Sequence, residues 1–257
     1  SAYGTPPAEL SALSRARPPV TKERVVNRLG IFWSEVTFGI RYLWQSPGLR
    51  SLLIVTNLFV AVHSLSNTIY DPMILARTDG SSQTLGAVAT ISGFGGVIGA
   101  IAFSIWGGFR SNVRGMRAGY IGVGLAKIGF GLGQSLFIWL PAQFCSSINF
   151  PLIWSSEGTL WMKATPAKLQ GRVFAAGLLI EDLANMLAIL LAGLLSDRIF
   201  EPAMRSPSLL QSLFAPIFGT GAGSGIALLY VLSAIAMLLI GIFSFRVSKL
   251  YSVEQDK

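Results

Sequence analysis

The sequence predicts an all-α integral membrane protein, a bundle of six transmembrane helices. Three observations predict it. The residues are 52% hydrophobic and only 12% charged, where soluble domains carry roughly 25% charged residues. Mean hydropathy is +0.59, and the apolar residues fall in long runs rather than at the short periods of a soluble core. The runs are long enough to span: about 20 mostly apolar residues cross roughly 30 Å of hydrocarbon.

The runs place the spans at about Ser51–Leu75, Leu85–Gly108, Ala118–Gln134, Phe137–Met162, Phe174–Leu195 and Ile226–Phe245. Only Gln134 and Ser135 separate the third from the fourth, so five spans is the alternative reading. Residues 1–50 form a cytoplasmic linker. Its first part, to Thr21, is rich in Pro, Ala and Ser and reads as flexible. From 22 to 45, Val25, Leu29, Phe32, Val36, Ile40, Leu43 and Trp44 recur at helical spacing with basic residues between them. Such a segment suits an amphipathic helix on the membrane surface or a connector packed on the protein. Pro47-Gly48 breaks it before the first span. Residues 247–257 read as a cytoplasmic tail, and 201–225 as an outer loop in which Leu209, Leu210, Leu213 and Phe214 suit a short interfacial helix. That loop reads either as a lid or as a passive connector.

Charge supplies the orientation. Lys and Arg collect in cytoplasmic loops, and sixteen of the twenty lie before the first span, in the second-to-third and fourth-to-fifth loops, or after the sixth span. Only Arg77, Arg198 and Arg205 lie on the other side, and Lys127 lies within a span. Both termini are therefore expected in the cytoplasm. The asymmetry explains the net charge of +8 without a nucleic-acid partner. One cysteine, Cys145, excludes an intrachain disulfide. With no metal-ligand spacing, no phosphate-binding loop and one histidine, nothing points to an enzyme, a metal or a cofactor.

Ionisable side chains inside spans are expensive and are functional candidates by default. His63, Asn67 and Asp71 fall at i, i+4 and i+8 on the first span and form a polar stripe. Asp71 lies close to the outer surface and is the weaker proton site. Glu157 lies on the fourth span. Glu181 and Asp182 are adjacent on the fifth, so one of the two faces a cavity. Lys127, near the middle of the third span, is expected to form an intramembrane ion pair with Glu157 or Glu181.

Three stretches carry a family resemblance. WSEVTFGIRYLWQSPGLRSLL (Trp33–Leu53) resembles the entry to the seventh helix of major facilitator superfamily exporters, in the branch of enterobactin-exporter-like and macrolide-efflux-like proteins. TPAKLQGRVFA (Thr165–Ala175) resembles their turn between the tenth and eleventh helices, and LLAGLLSDRIFEP (Leu190–Pro202) the end of the eleventh. The ordered set spans about Glu23 to Val247. The resemblance implies the C-terminal six-helix half of a proton-coupled transporter. Such a transporter would export small amphipathic molecules (siderophores, macrolides, drugs or other secondary metabolites) by alternating access, from a bacterial plasma membrane. It also implies a partner, an N-terminal six-helix half supplied by the same gene or a separate chain. A non-transporting membrane subunit or scaffold derived from such a half is the alternative.

Rocking bundles need close helix packing, and the second and third spans offer Gly95/Gly99 and Gly129/Gly133; such pairs are common in membrane helices, and static packing is their more frequent explanation. The resemblance makes WGGFRSNVRGMR (Trp106–Arg117) a cytoplasmic gate loop, with Arg110, Arg114 and Arg117 as latch candidates and Gly171 and Arg172 as a second set. The loop lacks the acidic residue usual early in that motif. Simple positive-inside topology is the competing explanation for the four arginines.

Overall fold

Pro47 opens the first long helix, because proline's missing N–H is not needed in a first helical turn. In the computed structural model the described residues are 22–247, Leu250 and Glu254, with side chains described from Trp33 onward. Helix α1 (Lys22–Gln45) ends at the extended residue Ser46, and α2 (Pro47–Arg77) follows. Then come α3 (Ser82–Trp106), α4 (Asn112–Leu132), α5 (Leu136–Ser147), α6 (Phe150–Ala164) and α7 (Gln170–Leu195). A π-helical turn (Ser196–Phe200) leads into α8 (Glu201–Arg205), followed by α9 (Leu209–Phe218), α10 (Ser224–Phe243) and a 3-10 turn (Ser244–Arg246). Residues 1–21 of the predicted linker lie outside the described residues.

Among the described residues, five helical stretches are long and apolar enough to cross a membrane: Pro47–Arg77, Ser82–Trp106, Leu136–Ala164, Gln170–Arg205 and Ser224–Arg246. The chain is a helical membrane protein. The predicted third span corresponds to α4, a helix of 21 residues, long enough to span at about 1.5 Å per residue but carrying Arg114, Arg117 and Lys127. Its start is six residues earlier than the apolar run suggests. Ser111 caps it by accepting from the Arg114 N–H, which lets the charged turn be helical.

The fourth predicted span is two helices. Pro151 has no N–H to offer the Ser147 carbonyl, so the ladder breaks at Ile148–Asn149. There the Asn149 amide donates to the Cys145 carbonyl instead, at 2.7 Å. The fifth span overruns its predicted end through the π turn, because Ser196–Arg205 continues the coil that the sequence suggested as loop. The predicted interfacial helix is present as α9, with Ser208 accepting from the Gln211 N–H as its cap.

Helix α10 is packed between α4 and α2. Around it, Met73, Phe130, Trp139, Met204 and Tyr230 fill one end of the core. Leu52, Phe59, Tyr120, Ile153 and Met237 fill the other. By contrast α7 is apolar on nearly every face, yet Leu178, Leu183, Met186, Leu187, Leu190 and Leu194 are all exposed. A helix hydrophobic all round belongs in lipid or against another apolar body.

Between helices surrounded by lipid, burial supplies little drive and close packing supplies most of it. The Gly95/Gly99 pair acts this way. A β-carbon at Gly95 would sit 2.9 Å from the Phe144 carbonyl oxygen, and one at Gly99 would collide with the Ile148 backbone. The other expected pair does not pack so: nothing lies near Gly129, and α4 meets α10 instead through Gly124, whose β-carbon would lie 2.8 Å from the Leu238 nitrogen. Gly99→Val is therefore expected to lower the detergent-extracted thermal midpoint, through overpacking that costs about 1–3 kcal/mol. Gly96→Val, at a position with open space, should leave the midpoint where it is.

Helix α1 packs on the start of α7. Val36 and Leu43 are buried, Leu43 among Leu49, Leu53, Val173 and Ala176. A β-carbon at Gly39 would stand 2.7 Å from the Arg172 carbonyl oxygen. One side of the segment thus packs on the protein, while Trp33, Phe38 and Trp44 on its other side are exposed. The side chains of Val25, Leu29 and Phe32 lie outside the described residues. The tail is also not free along its length. Leu250 is fully buried beside Val113 and Leu160. The Glu254 carboxylate accepts from Ser111 Oγ and from the Asn112 N–H, both at 2.7 Å, covering the start of α4.

Candidate functional site

Helix α6 carries Trp154, Glu157, Gly158, Trp161 and Met162, at i, i+3, i+4, i+7 and i+8, so all five share one face. Helix α7 repeats the device with Phe174, Gly177, Leu178 and Glu181. The two faces meet in an open cleft of about 350 Å³ lined by these nine residues. Trp161 and Phe174 stand edge to face with centroids 6.2 Å apart. The glycines leave room between the ring walls, and the two carboxyl groups are the acidic part of the lining. Glu157 is held from behind by α4, where the fully buried Tyr120 donates its hydroxyl to Glu157 Oε1. Tyr120 in turn stacks on Phe59, centroids 3.7 Å apart. The charge-bearing residue is thus positioned by a hydrogen bond and a packed ring rather than by a second charge.

A second cleft, about 410 Å³, lies between α2, α3, α4 and the α5–α6 junction. His63, Asn67 and Tyr70 enter it from α2, Ser92 from α3, Lys127 from α4, and Gln143 and Ser146 from α5. Trp154 lines both clefts. A row of rings connects them: His63 meets Phe150 edge-on at 5.0 Å, and Phe150 meets Trp154 at 5.6 Å. The Gln143 amide donates to Ser92 Oγ at 2.9 Å, and Ser92 and Ser147 share a hydrogen bond at 2.8 Å. Ser64 donates to Asn185 Oδ1 at 2.6 Å and ties α2 to α7.

No family model, curated protein or solved structure matches the chain. What the site can do therefore rests on its residues.

Of the sequence-predicted candidates, the structure brings Glu157 and Glu181 into the first cleft and His63, Asn67 and Lys127 into the second. Asp71 and Asp182 are exposed and line neither. For the Glu181–Asp182 pair this is the expected split, one residue inward and one away.

The ion pair expected of Lys127 is absent. Among the described residues the ion pairs are Arg172–Glu35 and Arg205–Glu201. Lys127, 4% exposed, donates to Ser66 Oγ at 3.2 Å and Tyr230 OH at 3.3 Å. Its ammonium also lies 5.1 Å from the Tyr230 ring centroid. The reason is position: α4 sits inside the bundle, and its Lys127 face meets α2 and α10, while Glu157 is taken up by Tyr120.

The structure leaves the five gate candidates in different surroundings. Arg110, Arg114 and Gly171 are exposed. Arg117 is fully buried within α4, donates to the Ser244 carbonyl and lies over the Phe245 ring at 4.7 Å, which makes it a tie between helix ends. Arg172 pairs with Glu35 at 3.1 Å, half-exposed on both sides, and so joins α1 to α7. An exposed pair of this kind contributes about 0.2–1 kcal/mol.

Tyr120, Trp154, Trp161, Tyr230 and Ser66 escaped the sequence reading. The two tryptophans were visible as a helical stripe around Glu157. Tyr120, Tyr230 and Ser66 gave no sequence signal, because what matters in each is a neighbour on another helix.

Proposed function

We propose that the chain is one wall of a proton-coupled secondary transporter, the C-terminal six-helix half of an exporter of the major facilitator type. The single observation that carries this reading is the cleft between α6 and α7, aromatic-walled, open on one side, and holding Glu157 and Glu181 in a membrane-spanning region. An open cleft beside the exposed apolar residues of α7 suits a second helical bundle closing over it, and binding between two bundles is how such transporters place cargo. Aromatic walls suit an amphipathic small molecule. A carboxyl group there can exchange a proton against that cargo as access alternates between the two sides. The order of family-like stretches from Trp33 to Pro202 supports the same assignment. The charge asymmetry supports cytoplasmic termini, and a bacterial plasma membrane is the setting we propose.

In this reading the N-terminal half is the protein partner, protons are the coupling ion, and cargo is a siderophore, macrolide, drug or other amphipathic metabolite. Efflux of a lipophilic dye such as ethidium from cells carrying the intact gene, against a deletion strain, tests it. Faster efflux with the gene, abolished by a protonophore, is the expected result. Equal efflux rates across a panel of cationic, neutral and anionic amphiphiles would instead favour a membrane scaffold.

A further inference from the structure

Lys127 presents its amino group to a polar cavity whose lining holds no acid. The cavity's polar lining, from His63 and Asn67 on α2 to Gln143 and Ser146 on α5, contains no carboxylate. Nor does any described residue form an ion pair with Lys127. Two hydroxyl groups, Ser66 Oγ and Tyr230 OH, take its hydrogen bonds. A buried ammonium with only neutral partners is an expensive arrangement, and an ammonium has three donors.

The same cavity has further unused capacity. The Tyr70 hydroxyl, Ser146 Oγ and Gln143 Oε1 are buried and have no hydrogen-bond partner among the described residues. All three residues line the cleft with Lys127. Buried polar groups are nearly always satisfied in folded proteins, and each exception asks for an explanation. Here three exceptions come from two different helices and share one cavity with the unneutralised lysine. Two of them, the tyrosine and serine hydroxyls, can donate to an anion, and Gln143 Oε1 can accept from a donor carried beside that anion. The remaining wall, Ala89, Gly93, Gly96, Phe150 and Trp154, is apolar or aromatic.

We propose that this cavity is a binding subsite for the carboxylate of an amphipathic organic acid. Lys127 takes the charge, Tyr70 and Ser146 donate to the carboxylate oxygens, and the Phe150–Trp154 side receives the apolar body. The subsite is separate from the Glu157–Glu181 cleft but shares Trp154 with it. It rests on the transporter reading only in calling that acid cargo; the binding itself stands on the cavity.

Benzoate is a suitable probe, with benzyl alcohol as its uncharged counterpart, measured by calorimetry on the full chain in lipid nanodiscs. Benzoate should bind saturably and benzyl alcohol should not. Lys127→Met should weaken benzoate about tenfold or more, as loss of a charge-assisted bond does. Tyr70→Phe and Ser146→Ala cover the case in which Lys127→Met fails to fold. Each removes an orphaned hydroxyl, so the thermal midpoint without ligand should stay level or rise, while benzoate affinity falls several-fold. The proposal is overturned if benzoate binds no better than benzyl alcohol, as it would if a carboxylate of another protein segment already fills the site. It is equally overturned if all variants bind benzoate as the wild type does. Saturable, Lys127-dependent binding in a protein that moves no solute would support the subsite and refute the transporter reading alone.

Discussion

Glu157→Gln should leave the bundle folded and reduce protonophore-sensitive efflux at least tenfold. Glutamine matches glutamate in size and keeps a carbonyl oxygen that can accept the Tyr120 hydroxyl. It removes only the capacity to hold a proton in one state and release it in another. If Glu157 acted solely as a hydrogen-bond acceptor in the wall, the substitution would therefore be silent. Tyr120→Phe separates the two roles further. It keeps the ring that stacks on Phe59 but leaves a buried carboxyl without its donor, at a cost of about 1–3 kcal/mol, so it should lower both the thermal midpoint and transport. Dye efflux from cells, normalised to protein in the membrane, measures the first effect, and unfolding in detergent measures the second. Full protonophore-sensitive efflux by Glu157→Gln would remove Glu157 from the proton path.

Glu201→Ala should cost the bundle a large share of its stability. The Glu201 carboxylate accepts from the backbone N–H groups of Gly223 at 2.8 Å, Gly225 at 3.0 Å and Ile226 at 3.3 Å. These are donors at the start of α10, the helix packed between α4 and α2. A negative charge at that end also meets the positive pole of the helix. The two segments approach closely there, since a β-carbon at Gly225 would collide with the Phe200 backbone. Loss of three charge-assisted bonds should cost about 2–4 kcal/mol, read as a drop of about 5–15 °C in the unfolding midpoint. Arg205 also touches Glu201, at 2.8 Å, but is itself more than half exposed. Arg205→Ala should therefore cost under about 1 kcal/mol. A comparable loss from both variants would mean that the ion pair, and not the cap, holds the end of α10.

Five of the six predicted spans were legible because each is a run of twenty or so apolar residues, a local property that needs no knowledge of neighbours; the predicted third, on α4, is not among the stretches apolar enough to cross. Their ends were less so. Helix α4 begins early because Ser111, Ser244 and Phe245 make its charged first turns tolerable, and two of those three lie more than a hundred residues away. The Ile148–Asn149 break follows from Pro151 and was readable in retrospect. In the site, the stripe Trp154, Glu157, Trp161 is a helical repeat and belongs to the sequence. That it meets Phe174 and Glu181 depends on how α6 and α7 face each other, which no spacing encodes. Lys127 shows the limit most clearly. The expectation of an acidic partner followed from the cost of a buried charge, but the structure surrounds it with Ser66 and Tyr230, residues from helices distant in the chain.

The central claim is that the Glu157–Glu181 cleft couples a proton gradient to movement of an amphipathic solute. Inverted membrane vesicles prepared from cells of the native gene, and from cells in which the chromosomal codon for Glu157 is changed to that for glutamine, test it most directly. The vesicles are given an acid-inside gradient and an external dye, and dye uptake and proton release are recorded together. The account predicts dye accumulation with matching proton release from the native vesicles, and neither above the deletion background from the Glu157→Gln vesicles. Gradient-driven accumulation of equal size in both would contradict it.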